Sequence, residues 1–216
     1  MQVILVGLPG AGKGTQAERI QSYFGIPHIS TGDMFRRAVA SGGELGQQVQ
    51  SYLNSGRLVP DEITIKVVQE RLVDEDAQRG FLLDGFPRTL EQADALDGML
   101  TEIGKPIDAV LYIHVSEDVL LARLTGRRIC RQCGTTYHVI FQPPKEEGVC
   151  DKCGGELYQR SDDSEEAVKT RLEQYKHTAP LIEYYRERGV LRQIDGLQPI
   201  EQVFEDVQAV LAAYAR

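Results

Sequence analysis

The chain has no long apolar run. Stretches such as Ala109 to Ile113 hold about five residues, and a bilayer-crossing helix needs roughly 20, so no transmembrane segment is expected. Basic residues are also short: 24 Lys and Arg stand against 32 Asp and Glu, a formal net charge of −8. A general nucleic-acid binder has the opposite balance. No basic residue precedes Lys13, and glycine interrupts the apolar start at Gly7. An export signal is therefore not expected, and a cytoplasmic location is. What remains is ordinary for a folded chain: 216 residues, 42% hydrophobic and 26% charged. That composition excludes disorder and fits one compact domain with small insertions. Net acidity leaves room for a local basic cleft. Arginine outnumbers lysine 17 to 7, and arginine is the better planar grip on phosphate.

Short apolar runs alternate with amphipathic stretches. Strands are expected at Gln2–Val6, Pro27–Ser30, Phe81–Asp84, Ala109–Val115 and Val190–Ile194. Helices are expected at Lys13–Phe24, Asp61–Gln78, Thr89–Ile103, Glu117–Leu124, Asp163–Arg188 and Ile200–Ala215. This order implies an α/β fold with a parallel sheet covered on both faces. Two stretches break it. Thr31 to Val59 is helical but punctuated by glycine. Arg127 to Arg160 is non-periodic and holds all four cysteines. Both read as insertions on one edge of the sheet, where loops carry function.

Gly7 to Thr15 reads GLPGAGKGT. The frame G-x-x-x-x-G-K follows a strand and opens a helix, the context of a P-loop. Glycines let successive N–H groups turn around an anion, the helix N-terminus adds positive potential, and Lys13 adds a full charge. The residue after Lys13 is Gly14, so the hydroxyl comes one position late, at Thr15.

Cys130, Cys133, Cys150 and Cys153 form C-x₂-C-x₁₆-C-x₂-C. Four thiolates at this spacing close a tetrahedral shell, which implies a structural metal with no open coordination position. Zinc is the expected ion, and iron is also compatible with four thiolates. Two disulfides are the rival reading, opposed by the missing export signal. A nucleic-acid-binding ribbon is a second rival. Six basic residues against four acidic ones between Arg127 and Arg160 are a weak balance for it.

Arg123 and Arg127 lie four apart near a helix end, where like charges repel unless an anion settles between them. A helix C-terminus also favours cations by itself. Arg36, Arg57, Arg88, Arg160 and Arg171 each sit near a strand end or an insertion edge, where open α/β sheets bind ligands. Asp84 ends an apolar strand, as suits Mg²⁺ held directly or through water and also suits a plain turn.

These stretches together resemble adenylate kinase: GLPGAGKGT, STGDMFR at 30–36, RLVPDE at 57–62, LLDGFPRT ending at Thr89 with Gln92, LTGRR at 124–128, RSDD at 160–163, Arg171 and the cysteine pairs. The likeness spans the whole chain and is to the long, zinc-containing bacterial form. It implies a P-loop nucleoside monophosphate kinase fold with a five-stranded parallel sheet flanked by helices. Residues 1–29, 60–125 and 164–216 would be the core, with two mobile insertions: a monophosphate-binding segment at 30–59 and a zinc lid at 126–163. By resemblance, Gly10, Ala11, Gly12, Lys13, Gly14, Thr15, Arg127, Thr136, Tyr137 and the backbone near Gln198 hold ATP. Thr31, Arg36, Arg57, Leu58, Val59, Gly85, Phe86, Pro87, Arg88 and Gln92 hold AMP, with Arg160 and Arg171. Lys13, Arg88, Arg123, Arg160 and Arg171 serve the transferring phosphoryl group. The Phe86–Pro87 peptide is expected cis.

The implied reaction is MgATP + AMP to two ADP, with Zn²⁺ structural and Mg²⁺ accompanying ATP. The phosphate nucleophile is already anionic, so none of His28, His114, His138 and His177 has to act as a base, and His138 is expected at the lid surface. The implied partners are ATP, AMP and ADP, with no nucleic acid or membrane, and the implied state is a monomer. Another nucleoside monophosphate kinase, for UMP/CMP or GMP, is the nearest alternative. A non-catalytic nucleotide-binding zinc ribbon is the more distant one.

Overall fold

The computed structural model describes residues 1–215, with the backbone alone at Asp118. The β-branched run at the start forms β1 (Gln2–Val6). The glycine-rich turn then leads into α1 (Lys13–Phe24), which ends at Gly25 in the left-handed conformation. β2 (His28–Ser30) runs directly into α2 (Thr31–Ser41), because the Ser30 hydroxyl accepts the Asp33 N–H and caps the helix. Next come α3 (Glu44–Ser55), α4 (Asp61–Leu72), β3 (Phe81–Asp84), α5 (Leu90–Glu102), β4 (Ala109–His114) and α6 (Leu120–Thr125). The cysteine-containing stretch contributes β5 (Arg127–Cys130), β6 (Thr136–His138) and β7 (Leu157–Tyr158). α7 (Glu165–Gln174), α8 (Pro180–Glu187), β8 (Leu191–Asp195) and α9 (Ile200–Leu211) follow.

The main sheet has the order β2-β3-β1-β4-β8 and is parallel throughout. Successive side chains of β1 face opposite ways. Val3 and Leu5 pack with Ala17 and Ile20 of α1 and Val203, Val207 and Leu211 of α9. Ile4 and Val6 pack with Val68 of α4, Leu96 of α5, and Leu181 and Tyr185 of α8. Each large apolar side chain so buried contributes about 1.5–3 kcal/mol, which is why these strands are apolar without alternation. The chain winds away from β1 in both directions, toward β3 and toward β4. This opens a crevice at the C-terminal strand ends, where β1 delivers the P-loop and β3 delivers Asp84, paired in register with Leu5 and Ser30.

Several expectations are corrected. The insertions do not share one edge. The α2–α3 pair leaves β2 on one side of β1, and the cysteine-containing stretch leaves β4, by way of α6, on the other. That stretch forms its own antiparallel sheet, ordered β6-β5-β7, whose strands of two to four residues are too short to show alternation. The helix expected over 163–188 is two: α7 stops at Gln174, a 3₁₀ turn follows at Tyr175–His177, and Pro180 opens α8, where its missing N–H is not needed. The one expected over 61–78 stops at Leu72, where the Gln78 amide donates to the freed Leu72 carbonyl (3.2 Å), and resumes as a 3₁₀ turn at Glu75–Arg79. The Phe86–Pro87 peptide is cis.

Candidate active site

The P-loop is built by three glycines for separate reasons. A Cβ on Gly7 would fall 2.6 Å from the Ile113 carbonyl oxygen, so the first position admits no side chain. Gly10 and Gly12 have φ of +84° and +95°, a region that L-residues avoid. Gly12 leaves the start of α1 without a side-chain cap, so its first N–H groups face the cleft. Lys13 folds back over the loop, its Nζ donating to the carbonyls of Gly7 (2.7 Å) and Leu8 (3.1 Å). Burial lowers its pKa to about 8. Arg88, Arg171 and Arg127 push the same way, and Asp84 opposes them. Burial works against ionising Asp84, but His28, Lys13 and Arg88 outweigh it and hold the carboxyl at about 2. His28 Nε2 lies 3.5 Å from Asp84 Oδ2. Burial disfavours its charge, and Asp84, Asp33 and Glu18 more than restore it, so the His28 pKa is raised.

The P-loop forms one wall of a cleft of about 1060 Å³ that reaches both insertions. Ten Lys and Arg residues line it against five Asp and Glu, an excess of positive charge inside a chain of net −8. Arg36, Arg57, Arg88, Arg123, Arg127, Arg160 and Arg171 all reach it, from α2, α3's end, β3's end, α6, β5, the return from β7, and α7. Gly10 to Thr15, Thr31, Leu58, Val59, Asp84, Gly85, Gln92, Thr136, Tyr137 and Gln198 line it as well. Two expected residues do not. Phe86 is buried in the core at 1% exposure, and Pro87 borders a separate small cavity with Tyr175 and Thr178. Within the cleft, Gln198 donates its amide to Asp206 (2.8 Å).

Carboxylates hold several of these arginines. Arg127 makes a two-pronged ion pair with Asp163, and Arg171 donates to the same carboxylate at 3.0 Å. Arg36 pairs with Asp33, which also faces Arg160 at 3.5 Å. Asp162 lies 3.2 Å from Arg171 and 3.8 Å from Arg36. Burial opposes ionisation of Asp33 and Asp162, and the arginines overcome it, so both pKa values are lowered. These three aspartates were not among the expected site residues. Asp33 lies three residues before Arg36 on one helix, a local spacing that signals it. Asp162 and Asp163 have no equivalent local signal.

Known proteins answer to this geometry. The family model described as adenylate kinase matches residues 5–190. The chain belongs to the adenylate kinase family. It is 59% identical to the adenylate kinases of Geobacillus sp. (strain WCH70) and Bacillus subtilis (strain 168), over 212 residues and 98% of each chain. It is equally similar to that of Desulfitobacterium hafniense (strain DSM 10664 / DCB-2) over 208 residues and 96% of each. As an adenylate kinase it is an ATP:AMP phosphotransferase, with ATP, AMP and ADP as substrates.

This adenylate kinase also carries a candidate metal centre. The four cysteine sulfurs lie within 4.8 Å of one another, with Cys130–Cys153 at 3.5 Å and Cys133–Cys150 at 3.6 Å. Disulfide sulfurs would be about 2.05 Å apart, whereas four thiolates about 2.3 Å from a shared ion stand roughly 3.8 Å apart. The cysteines are free. Around them the Thr135 hydroxyl lies 3.2 Å from Cys133 and the Tyr137 hydroxyl 3.4 Å from Cys150. The Thr135 hydrogen bond draws the Cys133 thiol down to about 6. Cys153 is pushed up to about 12, because its sulfur neighbours outweigh the Gly155 N–H that favours its thiolate. So crowded a set ionises fully only around a cation, and the cluster can hold a metal ion.

His138 is not a surface residue. It is 9% exposed, and its Nδ1 accepts the N–H groups of Ile140 (3.0 Å) and Phe141 (3.1 Å). Nε2 therefore carries the proton and donates to the Ala122 carbonyl (3.0 Å). The ring ties β6 to the end of α6.

Proposed function

We propose that the cleft binds ATP along the P-loop and AMP along α2 and α3, and that its arginines neutralise the two polyanions while the phosphoryl group passes in line between them. An AMP phosphate oxygen forms a bond to the γ-phosphorus of ATP as the bond to the ADP leaving oxygen breaks. No proton has to be removed from the nucleophile. The difficulty is charge, and the residues that answer it are Lys13, Arg88, Arg123, Arg160 and Arg171, with Arg127 on ATP and Arg36 and Arg57 on AMP. The excess of cations lining the cleft carries this reading. In the free enzyme Asp33, Asp162 and Asp163 stand in for part of the phosphate charge. They keep the guanidinium groups in place before substrate arrives.

Asp84 is ionised, half-buried and at the strand end beside the P-loop, which suits it to hold Mg²⁺ through water. When bound with ATP, Mg²⁺ supplies further neutralisation of phosphate charge. The four cysteines suit Zn²⁺ as a structural ion that keeps residues 126–163 rigid as a lid. Residues 30–59 form the second moving segment, and the remainder, 1–29, 60–125 and 164–216, forms the core, with Arg216 lying outside the described residues. Closure of the lid excludes water, the competing acceptor of the phosphoryl group. A monomer in the cytoplasm completes the reading. Among the described residues no helix is long and apolar enough to cross a membrane.

A coupled assay with AMP, GMP, CMP and UMP tests the acceptor, and AMP is expected to be used well ahead of the others. Arg88→Ala is expected to lower turnover by about 10²–10³-fold with its circular dichroism and melting unchanged. Normal turnover in that variant contradicts the assignment.

A further inference from the structure

We infer that Asp61 is a positioning residue that makes the cleft select adenine over 6-oxopurines, by holding the Gln92 carboxamide in one of its two orientations. The inference rests on the reading of Gln92 as the residue that faces the AMP base.

Gln92 is 2% exposed and lines the cleft. Its Nε2 donates to Asp61 Oδ1 at 2.7 Å, and its Oε1 accepts the Arg88 backbone N–H at 2.8 Å. Oxygen and nitrogen of a carboxamide are otherwise interchangeable in shape, but these partners are not. An ionised carboxylate only accepts, and a backbone N–H only donates. The reversed amide would set two oxygens against each other on one side and two N–H groups on the other. Asp61 is itself fixed. It begins α4, and its Oδ2 accepts the Thr89 hydroxyl at 2.8 Å. Thr89 in turn caps α5 by accepting the Gln92 N–H at 3.2 Å.

The locked amide keeps one N–H and one oxygen lone pair unused. Adenine offers a donor at position 6 and an acceptor at ring nitrogen 1, which match this oxygen and this N–H. Hypoxanthine and guanine offer the reverse, an acceptor at 6 and a donor at 1. A freely turning glutamine would serve both kinds of base. With Asp61 and Arg88 on either side, this one serves adenine. Groups left unpaired in a buried site are a strong source of discrimination.

The test compares kcat/KM for AMP and IMP, which differ only at these two positions, in the wild type and in Asp61→Asn. Asparagine keeps the shape but can offer Gln92 a donor as well as an acceptor, so the reversed amide loses one of its two clashes and only the Arg88 N–H still opposes it. The preference for AMP is expected to fall by about tenfold or more, while the KM for ATP stays within about twofold. An unchanged preference overturns the proposal. Gln92→Leu separates the two readings. If it keeps the preference for AMP, Gln92 does not read the base and the underlying assignment fails. If it abolishes the preference while Asp61→Asn keeps it, the lock alone fails. A measurement on the unaltered enzyme covers a variant that does not fold. One of the two Gln92 Nε2 proton resonances is expected well downfield of the other, as a hydrogen bond to a carboxylate oxygen requires, and if both lie at ordinary amide positions the lock is absent.

Discussion

Lys13 carries the sharpest consequence at the scale of single residues. Its pKa of about 8 follows from burial beside Arg88, Arg171 and Arg127. A base with a lowered pKa loses its charge as pH rises through that value. The grip of the empty cleft on ATP should therefore weaken above about pH 8. The KM for ATP is expected to rise with pH there, while Lys13→Arg stays flat to about pH 10, because a guanidinium remains charged past pH 12. A wild-type KM that is level to pH 10 rules this out. The same scale shows where local reading stops. The glycines and lysine of the P-loop were legible because backbone sterics and spacing fix their role within nine residues. His138 was not, because the Ala122 carbonyl that takes its Nε2 proton belongs to α6, 16 positions away, and nothing in the residues around it marks a buried ring.

Among the elements, the β5–β6–β7 sheet most needs help. Its apolar cluster consists of Cys130, Tyr137, Cys150 and Leu157, far too little to hold a sheet of such short strands alone. The metal would supply what the core lacks. Replacing Cys130 and Cys133 by serine is expected to lower the melting temperature by at least about 5 °C and to abolish retention of zinc through gel filtration. Activity at low temperature should suffer less. An unchanged melting point refutes a structural ion. The α2–α3 pair is stiffened differently: Gly46 lets two helices touch, since a Cβ there would fall 2.2 Å from the Ala38 carbonyl oxygen. The helices of the α2–α3 pair were legible from periodicity and glycine punctuation. The small sheet was not, because no strand in it is long enough to alternate.

For the whole molecule, the contrast is between an acidic chain and a basic cleft. Nucleotides approach a surface of net charge −8 and meet ten cations within one cavity. Salt screens such attraction over roughly 8 Å at physiological ionic strength. The KM values for ATP and AMP are therefore both expected to rise as KCl is raised from 20 to about 300 mM, with kcat changing less. Constant KM values would mean that the cations are balanced within the cleft. Asp33, Asp162 and Asp163 already balance part of that charge, which limits the expected rise to a few-fold.

The amino-acid sequence by itself determined the strands of the main sheet, most helices, the phosphate loop and the four-thiol cluster. Each depends on spacing within a few residues, or on a pair of tight turns, and such geometry is set by backbone torsions wherever the chain goes. Tertiary structure decided which charges meet. Arg160 and Asp33 are 127 positions apart, and Asp61 reaches Gln92 across the start of a different helix. Coulomb interactions and hydrogen bonds depend on distance through space, and along the chain that distance carries no periodic signature.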